Sequence, residues 1–181
     1  MRNLTRKIIL FLFIIYPTTV FAEDFANGNK FDFRKTTWGM TQAQVKKSEE
    51  ISIHDSSDKK LIYQTVISQK DANAEYNFSN GKLTQASYIV NEGYYDPARN
   101  YDDFIMFDKV LTKKYGKPTS AEKKGVGTES IRKSLSEPVA MSLGYLILTT
   151  TWDLKRSSIV HVVKKSVTNA GVEHSIIFTA K

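Results

Sequence analysis

From residue 60 onward the chain alternates apolar and polar positions in short runs. Leu61, Tyr63, Thr65 and Ile67 fall on one side of an extended segment, with Ile62, Gln64 and Val66 on the other, the two-residue period of a β-strand. Runs at 72–79 and 82–90 flank Asn80-Gly81. A two-residue type I′ turn needs positive φ at both positions, which Asn and Gly tolerate, so the pair predicts a hairpin. In that register Phe78 faces Leu83 and Tyr76 faces Gln85. Further alternating runs occupy 144–152, 157–166 and 172–180, with Leu146, Leu148 and Trp152 sharing a face. The last two form a hairpin around Asn169-Ala170-Gly171. Earlier, Phe31 and Phe33 alternate with Asp32 and Arg34, the pattern of a short strand or a docked extended segment.

Two segments follow a helical period instead. Thr41-Gln42-Ala43-Gln44 is a capping box, and Met40 with Val45 has the spacing of a hydrophobic staple. A helix is therefore expected from Thr41 to about Glu50. It is too short to be stable alone and must lie on a sheet. The second helix carries Phe104, Phe107, Leu111 and Tyr115 at three- and four-residue steps, with Val110 beside them. Asp96-Pro97 reads as a turn, which starts this helix at Asn100 or Tyr101. Lys113 and Lys114 suit its last turn, and Gly116 with Pro118 ends it. Residues 117–143 show no sustained period apart from a short helix near 129–135, and read as an insertion or long loop.

The order is helix, three strands, helix, three strands. It predicts an α+β fold: antiparallel sheet, or sheets, with helices packed on one face, built as two αβββ units in tandem. The first unit spans 41–90 and the second 101–180, with 117–143 inserted. The residues of the two units do not repeat; only the order of elements does.

The first residues carry a different signal. Arg2, Arg6 and Lys7 precede an unbroken apolar run at 8–16, then Pro17, then Val20-Phe21-Ala22. This is the layout of a cleavable secretory signal peptide over 1–22, cut after Ala22. A leader over 23–35 and a single domain over 36–181 would follow. The run is interrupted at Pro17-Thr18-Thr19, short of the roughly 20 apolar residues a span requires, so no integral membrane span is expected after processing. The 181-residue chain has 26 basic and 19 acidic residues. Without the three basic residues of 1–22 the net charge drops from +7 to +4, an ordinary solubility charge rather than a nucleic-acid footprint. The absence of cysteine excludes disulfides, zinc–thiolate sites, thiol catalysis and lipid attachment at cysteine. The expected location is periplasmic or secreted.

No group of residues assembles a reaction. His54, His161 and His174 follow no metal-binding spacing. A final hairpin turning at Asn169-Ala170-Gly171 places His161 near Phe178 and His174 near Lys165, which leaves the two imidazoles about four residues apart along the ladder. His54-Asp55-Ser56-Ser57 holds the residue types of a hydrolase triad, but as sequence neighbours in a polar loop, and no nucleophile elbow is present. Gly125-Val126-Gly127-Thr128 lacks the lysine of a phosphate loop. No catalytic residue, metal ligand or cofactor is therefore assigned. Tyr94, Tyr95 and Tyr101 lie among Asp96, Asp102 and Asp103. The acids suit a helix N-terminus and lack the order of a calcium loop, while the tyrosines form a candidate protein-contact patch. Trp38 and Trp152 read as core residues; exposed on an open sheet face, either would mark a binding surface.

Phe33-Arg34-Lys35-Thr36-Thr37-Trp38-Gly39-Met40-Thr41, Lys114-Tyr115-Gly116-Lys117-Pro118 and the strand pair from Trp152 to Ile159 resemble a family of small exported bacterial proteins of uncharacterised function. More remotely, a Gly-Met-Thr helix start before antiparallel strands is similar to the outer-membrane assembly lipoproteins and the β-lactamase-inhibitor-like αβββ fold. The chain departs from the lipoproteins in lacking a lipidated cysteine. The expected function is a non-enzymatic, exported protein-binding or envelope-associated module. It would bind an envelope or extracellular protein, and no nucleic acid, through a sheet face or through 117–141. The alternatives are a small apolar ligand held between sheet and helices, or a hydrolase built on Asp102 or Asp103 with a histidine.

Overall fold

The computed structural model describes residues 30–168 and 171–181. The signal peptide, its cleavage after Ala22, the first part of the leader and Asn169-Ala170 lie outside the described residues. The fold is α+β. Helix α1 (Gln42–Glu49) precedes β1 (Asp55–Ser57), β2 (Lys60–Ile67), β3 (Lys70–Ser79) and β4 (Lys82–Val90). Helix α2 (Pro97–Tyr115) precedes β5 (Ser120–Gly125), the short helices α3 (Glu129–Lys133) and α4 (Glu137–Ser142), then β6 (Leu146–Asp153), β7 (Ser157–Lys165) and β8 (Val172–Ala180). All strands pair antiparallel in one sheet ordered β1-β2-β3-β4-β8-β7-β6-β5. Each half is a meander opened by a helix, and the β4–β8 pair is the seam between them.

Three details differ from the sequence reading. Each half has four strands rather than three, because the short, exposed β1 and β5 complete the two edges. The segment 117–143 is therefore no free insertion: β5 pairs along β6, and Ala140 and Met141 of α4 are buried against Leu146, Leu148 and Val163. Helix α2 begins at Pro97 rather than Asn100 or Tyr101. Asp96 is its N-cap, accepting from the Ala98 amide at 2.9 Å. The Asp-Pro pair is a helix start, since proline at the first helical position has no amide to leave unpaired. Finally, the β3–β4 hairpin keeps Phe78 opposite Leu83, but a bulge next to Asn77 places Tyr76 opposite Ala86 instead of Gln85.

The Asn80-Gly81 turn has φ of +50° and +70°, and the Thr41 capping box forms as its residues dictate. Phe33 is buried in the core, its ring 4.7 Å from Tyr88 and 5.1 Å from Phe178 by centroid. The segment behind it joins the sheet: the Gly39 amide donates to the Leu83 carbonyl, and the Leu83 amide to Met40. On the helix side of the sheet, Phe107 and Leu111 of α2 pack with Tyr76, Tyr88, Ile176 and Phe178, and Phe104 with Leu148 and Val163. Fully burying each such side chain contributes roughly 1.5–3 kcal/mol, which is what holds α2 across the seam. Trp152 is buried and its indole donates to the Gly116 carbonyl at 2.9 Å, fixing the end of α2.

Candidate functional site

Two regions are organised beyond what packing needs. The first is the face of the sheet opposite the helices. The buried side chains of α1, α2 and α4 belong to the clusters on the other face, and among the described residues no helix covers this one. Its rows follow from the register. Ile89, Ser175, Val162 and Thr149 form one row across β4, β8, β7 and β6; Ser87, Ile177, Val160 and Thr151 form the next. These positions are β-branched or hydroxyl-bearing and none is charged. Charges stand around them, with the Lys60–Glu75 pair at 2.7 Å to one side and the Lys164–Glu173 pair at 3.4 Å on the adjoining row. Neither tryptophan belongs here. Trp152 is on the helix side, and Trp38 is half-buried with its indole donating to Ser157 Oγ at 2.9 Å.

The second region is a polar chain under α2. The register of β7 and β8 pairs His161 with Ile176 and Val163 with His174, two residues away from the expected alignment. An even shift keeps both histidines on the buried face but brings them to diagonal positions, where rings can meet. The sequence reading that held them apart is therefore corrected: His161 Nε2 lies 2.8 Å from His174 Nε2. On its other side His161 Nδ1 is 2.5 Å from Asp108 Oδ1, and Thr150 donates to Asp108 Oδ2 at 2.7 Å. Phe104 stacks on His161, and Phe107 meets His174 edge-on.

The partners assign the protons. Asp108 can only accept, so His161 carries its proton on Nδ1, and its Nε2 accepts from His174 Nε2–H. His174 Nδ1 is then a bare acceptor. Burial lowers the proton affinity of both rings. For His161 the Asp108 carboxylate opposes this; for His174 the neighbouring His161 and Lys70 add to it, and its pKa falls well below that of free imidazole. The acid expected beside a histidine, Asp102 or Asp103, is neither partner. Asp102 is exposed; Asp103 is buried and pairs with Lys70 at 3.0 Å. Lys70 also donates to the Tyr94 hydroxyl at 2.6 Å, and these two bonds outweigh its burial and keep it a cation.

The chain ends at a surface cleft of about 730 Å³ at the seam. Among the described residues its walls come from the β4–α2 connection with Glu92, the start of α2, the end of α4, Lys165 of β7 and Glu173 of β8, and His174 lines it. Tyr94 and Tyr95 line it as well, Tyr95 fully exposed. Tyr101 does not share their patch. It donates to Glu137 of α4, which also holds Lys123 of β5, so it braces the second unit. The other motifs stay apart. His54 and Asp55 to Ser57 are exposed at β1, where Asp55 accepts from the Ser56 amide rather than from His54. Gly125 to Thr128 are the exposed end of β5 and the cap of α3. Among the described residues no group of three or more His, Asp or Glu side chains is arranged to hold a metal ion.

Comparisons with family models, with curated proteins and with solved structures each give no match to this chain.

Proposed function

We propose that the protein is exported, released by cleavage after Ala22, and acts in the periplasm or outside the cell by binding another protein rather than by catalysis. The contact surface in this reading is the uncovered sheet face. One observation carries it: two rows of uncharged side chains across four adjacent strands, bordered by charges. Depletion of charge at the centre of a patch, with a polar rim, is the compositional mark of a protein interface. In the alternative location, 117–141, β5 pairs with β6 along one edge and α4 packs on the core, while 120–130 is exposed throughout. Between helices and sheet, Phe33, Tyr76, Tyr88 and Phe178 pack ring against ring, and a cleft of about 500 Å³ beside the end of α2 is lined by Phe31, Tyr115, Leu154 and Ile159. Among the described residues no helix is long and apolar enough to cross a membrane. The partner that fits is a folded envelope or extracellular protein offering an uncharged surface with apolar side chains at its centre.

Site-specific photocrosslinking in cells tests the assignment. A crosslinking side chain at Val160 should give a discrete adduct with one exported protein, and the adduct should disappear when Ile177→Lys is added. The same probe at Lys46, exposed on α1, should give none. Identical patterns from both positions, or no adduct at Val160, refute the sheet face as the contact surface.

A further inference from the structure

The cleft of about 500 Å³ beside the end of α2 combines an apolar wall with a donor that the chain does not use. Ile159 and Phe178, paired across β7 and β8 and 0% and 1% exposed, line it from the sheet. Half-buried Phe31 and Leu154 add apolar surface. Tyr115, the last residue of α2, lines it as well, its ring 6.2 Å from that of Phe178 by centroid. The Tyr115 hydroxyl is buried and has no hydrogen-bond partner among the described residues. Burial pushes this phenol well above its usual pKa, so it keeps its proton and is a donor without an acceptor. Phenylalanine would fill the same space without the cost of an unsatisfied hydroxyl. A tyrosine here suits an acceptor that comes from outside the chain, and the volume is within the usual range for small-molecule sites.

Charge narrows the ligand. Four ionised side chains line the cleft: Asp32, Lys114, Lys155 and Arg156. Asp32 is already matched, accepting from Arg156 at 2.8 Å and from the Trp38 amide at 2.9 Å. Just outside the lining, Asp153 is taken by Lys181. Lys155 is exposed and makes no ion pair among the described residues. Lys114 Nζ lies 5.6 Å from the centre of the Tyr115 ring. With Asp32 and Arg156 cancelling, the lysines leave the lining positive, which repels a cation and attracts an anion. The apolar wall calls for hydrocarbon, and the Tyr115 hydroxyl for an oxygen. An anionic head on a hydrocarbon chain supplies all three, and its hydrogen bond from Tyr115 is charge-assisted.

We propose that this cleft binds a single-chain anionic amphiphile, its hydrocarbon lying on Leu154, Ile159 and Phe178 and its head group accepting from the Tyr115 hydroxyl beside Lys114 and Lys155. The site is separate from the open sheet face, and either can fail without the other.

Calorimetric titration of the full exported chain tests it. The ligands are decanoate and decyl phosphate, with decanol and decyltrimethylammonium as neutral and cationic controls, each below its micellar or solubility limit. At least one anion should bind saturably at a single site, about tenfold more tightly than decanol, and the cation should not bind. Which anion binds more tightly separates a fatty acid from a phosphate-headed lipid fragment. Tyr115→Phe should weaken anion binding about tenfold, the loss of one charge-assisted hydrogen bond. The same variant should leave the urea midpoint of the unliganded protein unchanged or raised, a result that a structural hydroxyl would not give. Lys155→Gln should weaken binding severalfold and reduce its salt dependence. Ile177→Lys, on the open sheet face, should leave binding unchanged. The proposal falls if neither anion binds at millimolar concentration, or if decanol binds as tightly. It falls if Tyr115→Phe binds like the native protein or lowers the urea midpoint. It also falls if Ile177→Lys abolishes binding, which would place the amphiphile on the sheet face.

Discussion

Lowering the pH from about 7.5 to about 5 protonates both histidines of the seam in the unfolded chain, where imidazole titrates near 6.5. In the folded chain both resist. Burial lowers His161 against the pull of Asp108, and burial, His161 and Lys70 together lower His174 well below the ordinary value. Below about pH 6.5 the unfolded state therefore binds more protons, and the unfolding free energy falls as the pH falls. Above that value the contribution of the pair is fully present. The limiting slope is about 1.4 kcal/mol per pH unit for each histidine that stays neutral. Between pH 7.5 and 5, one such histidine removes about 2 kcal/mol and two remove about 4 kcal/mol. Domains of this size have roughly 5–15 kcal/mol in total, so the effect is large. His174 should supply most of it, because Asp108 partly restores the proton affinity of His161. Urea unfolding followed by tryptophan fluorescence across this range measures it, in a window where carboxylates stay ionised. His174→Gln keeps a neutral donor toward His161 and removes the titration. Its stability should be lower at pH 7.5 by about 1–2 kcal/mol, with a profile flatter by up to about 1.4 kcal/mol per pH unit. A variant profile parallel to that of the native protein between pH 6.5 and 5.5 would refute the reasoning.

Other consequences follow from single contacts. Arg34 donates to the fully buried Glu49 at 2.9 Å; Arg34→Met should cost about 3–5 kcal/mol in urea unfolding, since it leaves a buried charge without its cation. Gly81 has φ +70° with nothing near its missing Cβ, so Gly81→Ala should lower stability by about 1–2 kcal/mol through backbone strain alone. Thr41→Ala should remove about 1 kcal/mol by uncapping α1, read from the same denaturation curves. N-terminal sequencing of the exported protein should begin at Glu23-Asp24; retention of 1–22 would contradict cleavage after Ala22.

Local signals that need only neighbours were readable along the chain. The Thr41 capping box, the Asn80-Gly81 turn and the alternation in β2, β6 and β7 each specify a conformation within a few residues, and each forms. The α+β class followed from their order. What escaped depends on partners distant in sequence. β5 reads Ser-Ala-Glu-Lys-Lys-Gly, exposed throughout, because an edge strand is selected for solubility rather than for an apolar face. The bulge at Asn77 shifts one pairing without leaving a compositional trace. The polar chain was half legible. Ile159-His161-Val163 and His174-Ile176-Phe178 put both histidines on apolar faces, and Asp108 lies four residues after Phe104 and three before Leu111, within the buried stripe of α2. A polar residue in an apolar stripe is the signal to follow. What hid the pairing was the β7–β8 register, set by a turn that residue types alone do not fix.

The two halves show how one architecture can carry two kinds of polar anchor. Each leading helix anchors a carboxylate on the sheet, and α2 adds a second, Asp103, on Lys70 of β3. From α1 it is Glu49, met by Arg34 and by the Tyr76 hydroxyl, which burial and Glu49 hold protonated as a donor. From α2 it is Asp108, met by Thr150 and His161. The first partner is a guanidinium, charged at any pH a protein survives, so that anchor is static. The second is an imidazole pair whose charge depends on pH and whose far nitrogen lines a cleft. Only the second can respond to what lies outside the core. A change in protonation at His174 reaches His161 and Asp108 through two hydrogen bonds, and reaches α2 through Asp108 itself. Because α2 packs on both sides of the seam through Phe104, Phe107 and Leu111, the titratable anchor belongs to the element that joins the halves. That placement makes the seam, rather than either unit alone, the part of the fold whose stability the surroundings can adjust.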